Sequence, residues 1–382
     1  MKSNGMNPIK PASIEAFAYR VPIGTPVKVA FGTFRDRPTV LVRVVDADAT
    51  EGWGEVWSNW PAVGAEHRAR LAADIGQRLL GRTFAAPDEA FRALTAELEV
   101  MVLQTGEAGP IAAAIAGIDI ALWDLAARRQ GTALYRCIGG ATAESVPVYA
   151  TGINPDQPER FAAARYAEGH RAFKLKIGFD KALDLNNLAA MRATLGDAAA
   201  LMADANQALT LESAIDFSRA AAPLNLQWLE EPLRVDAPAA DWRALAAASP
   251  IPLAGGENFQ DAQFDAAVAD TVLRVLQPDV TKWGGISGNL RVARAAVAAG
   301  KRYCPHFFGG GIGLLASLHL LATAGGDGVL EFDCHPNAGR ELIVGSSLPV
   351  REGRVPVPQQ PGLGVIPDLA ALDRYRSWPM RH

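Results

Sequence analysis

Residues 172–178 read AFKLKIG. A strand turns alternate side chains to opposite faces. Lys174 and Lys176 therefore share one face, and Phe173, Leu175 and Ile177 the other. Two stacked ammonium groups mark either a solvated strand face or a site. Further along, single polar residues follow short apolar runs at a steady interval. From Lys176 the steps to Asp204, Glu230, Glu257, Asp279, His306 and Glu331 are 28, 26, 27, 22, 27 and 25 residues. Scattered surface charges would not keep such a step.

Asp204, Glu230 and Glu257 come from three consecutive intervals. At a strand spacing, about 5 Å, such carboxylates repel unless they are protonated or bridged by a cation. Oxygen-only donors suit a hard ion such as Mg2+. In LEEP, alternation from Trp228 turns Glu230 inward and leaves Glu231 facing the helices or the loop. Asp279 beside His306 would fix the imidazole tautomer and raise its pKa, giving a general acid or base. Lys176 faces this pair as a second base if its pKa falls. Lys174, a like charge two residues away, would depress it and hold an anionic substrate. Lys174, Asn206 and Glu331 are the candidate substrate contacts, with Glu331 a hydrogen-bond donor if protonated. This set suits removal of a proton next to a carboxylate, with the enediolate charge held by the metal and a donor.

Positioning these groups falls to the elements around them. Strand-like runs occur at 146–152, 172–178, 200–206, 226–232, 252–258, 272–280, 301–307 and 329–333, with alanine-rich helical stretches between. Eight strands alternating with helices predict an α/β fold, a (β/α)8-type TIM barrel. Each polar group then sits at a C-terminal strand end, where all face one mouth. The first 60 residues suggest strands, at 39–45 and 52–57, and 64–130 helices. The expected division is an α+β capping domain over 1–130, the barrel over 131–350, and a segment over 351–382 packing back on the cap.

Composition fits that scheme. Hydrophobic residues make up 49% and charged residues 20%, an ordinary globular balance. A net charge of -4 with scattered basic residues gives no sign of a nucleic-acid partner. Cys137, Cys304 and Cys334 lie far apart without a CxxC, which suits a reducing compartment. The N-terminal residues lack the apolar core of a signal peptide. The apolar stretch around Ile111 to Ala126, broken by Asp119 and Asp124, reads as too short and too charged to span a membrane. A cytoplasmic enzyme acting on a small carboxylate, away from membranes, is expected.

In order along the chain, GIDIALWDLAARRQGTALYRCIGG, KLK, ADAN, WLEEP, GGEN, QPDVTKWGGISG and PHFFGGGIG together resemble the enolase superfamily, and within it the mandelate racemase group. The resemblance covers nearly the whole chain. It implies a modified (β/α)7β barrel with a capping domain and Mg2+ on Asp204, Glu230 and Glu257. It also implies Lys176 as one base, the Asp279–His306 dyad opposite, and Glu331 as the acid contacting the substrate carboxylate. Homo-oligomers are common in the family. The muconate-lactonizing branch carries a lysine five residues before the paired glycines of the sixth strand. Here that position is Asp279, and Lys282 falls one strand position off the mouth-facing register. This favours the His–Asp branch, where dehydration of acid sugars is the commoner outcome. Racemisation, epimerisation and cycloisomerisation stay open. Specificity is expected from 22–37 and 57–67, and His335 is a further candidate contact.

Three rival readings arise. Gly311-Ile-Gly313-Leu-Leu-Ala316, with Glu331 twenty residues past Gly311, fits a loose dinucleotide pattern. A Schiff-base aldolase would use a barrel lysine but not three metal-spaced carboxylates. A non-catalytic metal-binding homologue would be expected to lose Lys176 or His306.

Overall fold

Two adjacent segments of β-rich sequence open the chain and pair over almost their full length. The computed structural model describes residues 7–141, 143–345 and 348–379. β1 (Pro11–Val29) and β2 (Gly32–Asp46) form an antiparallel hairpin, with Ile14 opposite Val44 and Ala16 opposite Val42. β3 (Glu51–Val56) continues the sheet from β2. Helices α1 (Gly64–Gly76), α2 (Pro87–Thr105) and α3 (Ala108–Arg129) cover it. α3 lies almost on the backbone of β3. A Cβ placed on Gly54 would stand 1.9 Å from Gly117 O, and one on Gly52 would stand 2.1 Å from Ala121 O. Only glycine admits that approach.

The 22 residues of α3 are long and apolar enough to cross a bilayer, contrary to the sequence expectation, and 89% of the most apolar stretch is buried inside the protein. Asp119 and Asp124 are accommodated by partners. Asp119 accepts from Ser287, and Asp124 from the N–H groups of Trp53 and Leu363 and from Arg128.

After a short α4 (Leu134–Cys137) strands and helices alternate: β4 (Ser145–Ile153), α5 (Pro158–Ala167), β5 (Ala172–Lys176), α6 (Lys181–Leu195), β6 (Ala200–Asp204), α7 (Leu211–Ala221), β7 (Leu226–Glu230), α8 (Ala239–Ala248), β8 (Leu253–Gly255), α9 (Ala262–Ala269), β9 (Leu273–Leu276), α10 (Gly285–Ala298), β10 (Arg302–Tyr303), α11 (Gly311–Ala324) and β11 (Leu330–Asp333). All eight expected strands are present. They run parallel in the order β10-β9-β8-β7-β6-β5-β4-β11. A bond from Glu331 N–H to Pro305 O at 3.4 Å joins the two ends of the curled sheet. Eight strands with a helix in each interval give the (β/α)7β form of the TIM barrel.

Alternation explains the mouth. Tyr149, Met202, Trp228, Ala254, Val275 and Cys304 pack together inside the barrel. Two residues further along their strands stand Asp204, Glu230 and His306, one layer higher. Phe173, Leu175, Ile177, Leu201 and Leu229 have the opposite parity and join the core beneath the helices.

The C-terminal segment makes two separate strand pairings. After α12 (Ala338–Val344), β12 (Arg354–Pro356) pairs with the start of barrel strand β4. Following α13 (Leu369–Leu372), β13 (Arg376–Trp378) pairs with β1 of the cap, Trp378 opposite Ala18.

Candidate active site

At the mouth the polar residues of seven strand ends meet in one buried network. Lys174 Nζ lies 2.5 Å from Glu230 Oε1, 2.8 Å from Glu331 Oε1 and 3.4 Å from Asp204 Oδ2. Lys176 Nζ donates to Asp204 Oδ2. His306 donates from Nδ1 to Asp279 Oδ2 at 2.8 Å and from Nε2 to Glu257 Oε2 at 2.7 Å. Asp279 is itself fixed by the Thr281 N–H and hydroxyl, at 2.8 and 2.6 Å. Asn206, in a left-handed conformation, turns its N–H to Asp204 Oδ1 at 2.9 Å. Lys176, Asn206, Glu257, His306 and Glu331 line a single cleft of about 250 Å3. Lys174 and Asp204 lie beneath it, fully buried.

The network differs from the sequence reading at five points. Glu231, expected to face away, is buried and lines the cleft, accepting from Gln207 at 3.1 Å and Asn258 at 2.9 Å. β7 ends at Glu230, and a positive φ of 39° at Glu231 swings this side chain back. Lys282 also lines the cleft, 3.2 Å from Glu257 Oε1 and 4.8 Å from the Trp57 ring centroid. β9 ends at Leu276, and a turn closed by Lys282 N–H to Asp279 O returns Lys282 to the same side. Strand alternation applies to neither residue, and Gln277, which donates to Glu230 Oε2 at 2.6 Å, was not singled out at all. Glu331 is an acceptor here, taking the Phe307 N–H at 3.0 Å as well as Lys174. His335 is stacked on Phe161 and held by Gly152 O at 2.7 Å, outside the cleft lining.

Charge states follow from these partners. Burial and Lys174 push the Lys176 ammonium down, but Asp204 outweighs them and holds it above the usual lysine value. The sequence reading expected the reverse. Burial likewise lowers His306, yet Glu257, Glu331 and Asp279 carry it well above an ordinary histidine. Glu331, raised by burial, is brought below the usual carboxylate value by Lys174 and His306. Glu230 is pushed up to about 7 by burial and Asp204, and Glu231 to about 8 by burial and Glu257.

Six carboxylates, Asp204, Glu230, Glu231, Glu257, Asp279 and Glu331, meet three ammonium groups and one imidazole. Even with His306 charged, two negative charges are left over, a deficit the size of one divalent cation. Raised carboxylates are what buried acids short of a counter-ion show. The donor set therefore fits a hard dication, and Asp204, Glu230 and Glu257 would hold it. As placed, their oxygens turn to ammonium, indole, amide and imidazole partners, and no group of three His, Cys, Asp or Glu among the described residues forms a ready metal cluster.

The glycine-rich turn before α11 does not resemble a dinucleotide site. Its N-terminal N–H groups are already occupied: Gly310 and Gly313 donate to Glu55 of β3, at 2.6 and 2.8 Å. A carboxylate from the cap sits where a phosphate would bind.

Comparison with known proteins agrees with this architecture. The mandelate racemase/muconate lactonizing enzyme N-terminal domain matches residues 13–139, and the enolase C-terminal domain-like family matches 158–371. A D-galactarolactone cycloisomerase of Agrobacterium fabrum is 33% identical, over 93% of this chain and 95% of its own. A mandelate racemase/muconate lactonizing enzyme structure from Bordetella bronchiseptica RB50 is 51% identical, with a TM-score of 0.91 over 97% of this chain and all of its own. A racemase structure from Streptomyces coelicolor A3(2), with magnesium bound, is 29% identical with a TM-score of 0.84, over 96% and 99%. Other relatives are named dehydratases of arabinonate, galactonate and gluconate. This chain is an enzyme of the mandelate racemase/muconate lactonizing enzyme family, within the enolase superfamily.

Proposed function

We propose that the protein removes the proton α to a carboxylate and dehydrates a 2,3-dihydroxy acid to its 2-keto product. The observation that carries this reading is the pairing, within one cleft, of Lys176 with an Asp279-oriented His306 from across the barrel mouth. Lys176 Nζ takes the α-proton. His306 Nε2 gives its proton to the departing β-hydroxyl, which leaves as water, and the enol tautomerises to the keto acid. Asp279 holds the ring through Nδ1, so that Nε2 faces the substrate. Lys174, buried beneath the cleft, holds Glu230 and Glu331 in place under the substrate. Mg2+, when bound by Asp204, Glu230 and Glu257, supplies the positive charge that makes the α-proton acidic. With Asp204 engaged in holding that ion, Lys176 would lose the partner that keeps it charged, while His306 would keep Asp279 and Glu331 beside it.

The test is incubation of the Mg2+-loaded enzyme with hydroxy acids in deuterated water. The reading expects a 2-keto acid carrying one solvent deuterium at C3, where the enol is protonated, and any α-deuterium only in recovered substrate. Exchange with inversion and no keto acid would make the protein a racemase. The absence of both exchange and 2-keto acid with every acid would overturn the reading.

A further inference from the structure

The cleft has two walls of opposite character. Its floor carries the charged groups described above. The upper wall is Val29, Phe31, Phe34, Trp57, Trp60 and Phe308. Four of these rings form a connected chain, with centroids 5.8 Å apart for Phe31–Trp60, 4.9 Å for Trp60–Phe34 and 5.6 Å for Phe34–Phe308. Phe308 lies two residues beyond His306, and Phe31 at the other end is 64% exposed. The chain thus leads from the catalytic acid to the rim.

Several of the polar side chains bordering this wall are engaged within the protein. Asn59 Nδ2 donates to Phe308 O at 2.7 Å. Gln207 donates to Glu231 and accepts from Val235 N–H. Asn258 donates to Glu231 and Glu257, and its Oδ1 accepts from Lys282. Trp60 Nε1 and Asn206 Oδ1 are the buried lining side-chain atoms without a partner among the described residues. They serve one or two hydroxyls. No arginine lines the cleft among those residues. Arg37, outside the lining, is bonded to Asp333 at 2.9 Å with its guanidinium 3.9 Å from the Phe308 ring centroid. A sugar-acid chain would bring several hydroxyls, or a second carboxylate, against rings that offer them no exchange for water. An apolar group gains by the same burial.

We propose that the substrate is a hydroxy acid whose chain beyond the reacting carbons ends in an apolar, aromatic group seated on Phe34, Trp60 and Phe308. This rests on the proton-abstraction reading of the same site, and it departs from the sugar acids in the names of several relatives. A cavity of about 250 Å3 accommodates such an acid bearing one ring.

The experiment compares 2,3-dihydroxy-3-phenylpropanoate, glycerate, gluconate and galactarate with the Mg2+-loaded enzyme, reading α-deuterium exchange and kcat/KM. The phenyl acid is expected to exceed gluconate and galactarate at least 100-fold. Trp60→Gln should narrow that ratio at least tenfold, mostly through KM for the phenyl acid. Equal or better use of gluconate or galactarate would overturn the aromatic substrate while leaving proton abstraction standing. Absence of both exchange and 2-keto acid with all four acids, glycerate included, would instead overturn the underlying reaction.

Discussion

Lys176 and His306 both carry a proton in this arrangement, and for one reason: each lies against a carboxylate that a cation would otherwise engage. Their roles separate once the substrate is bound. His306→Asn should lower turnover by about 10²–10⁴-fold, the usual contribution of a positioned acid. It should leave α-proton exchange through Lys176 in deuterated water, and unaltered turnover would remove His306 from the mechanism. A second histidine makes a prediction about stability. His319 accepts the Tyr135 N–H at Nδ1 and donates from Nε2 to Leu363 O, a pattern that only the neutral ring satisfies. Burial lowers it to about 4, from an ordinary value near 6.5. Between those values the unfolded chain takes up a proton that the folded one refuses, so stability falls as pH drops from about 6.5 to about 4. That loss approaches about 1.4 kcal/mol per pH unit for the one group. Urea midpoints across this range should fall less steeply for His319→Gln than for the wild type. At this scale the sequence was informative wherever a side chain sat on a strand. Lys174, Lys176, Asp204 and Glu230 follow from alternation and interval, and His306, three residues past β10, from the interval alone. Glu231 and Lys282 escaped because each lies just past a strand end, where a left-handed residue or a turn sets the direction.

Elements join the cap to the barrel through β3. Its glycines let α3 approach, and its Glu55 caps α11 across the domain boundary. α11 follows the loop that carries His306, Phe307 and Phe308, so the cap holds one end of the catalytic segment. Glu55→Ala should cost about 2 kcal/mol, because it leaves two buried N–H groups without their acceptor. Glu55→Gln, which keeps an acceptor, should recover part of that loss in a denaturant titration. Gly54→Ala should destabilise by about 1–3 kcal/mol through overpacking against Gly117, an effect that a urea midpoint would register. The repeating strand–helix pattern made the barrel legible in the chain. β12 and β13 were not legible, since each is three residues long and takes its meaning from a partner more than 200 positions away.

As a whole, the molecule divides its work. The barrel mouth holds the charges, and the cap hairpin lays aromatic rings over them. Two surplus negative charges in that mouth should make the fold respond to divalent cations. At a hundredfold excess over its dissociation constant, Mg2+ should stabilise the protein by about 2.7 kcal/mol. A chelator should reverse the shift, and a urea midpoint that ignores both would argue against a metal in the mouth. The most direct measurement is a crystal structure of the protein soaked with Mn2+, which reports the ion by its anomalous signal. The account predicts one ion bonded to Asp204, Glu230 and Glu257, with Lys176 and His306 released towards the cleft. An ion elsewhere, or these three carboxylates still turned to Lys174, Lys176 and His306 at saturating metal, would contradict it.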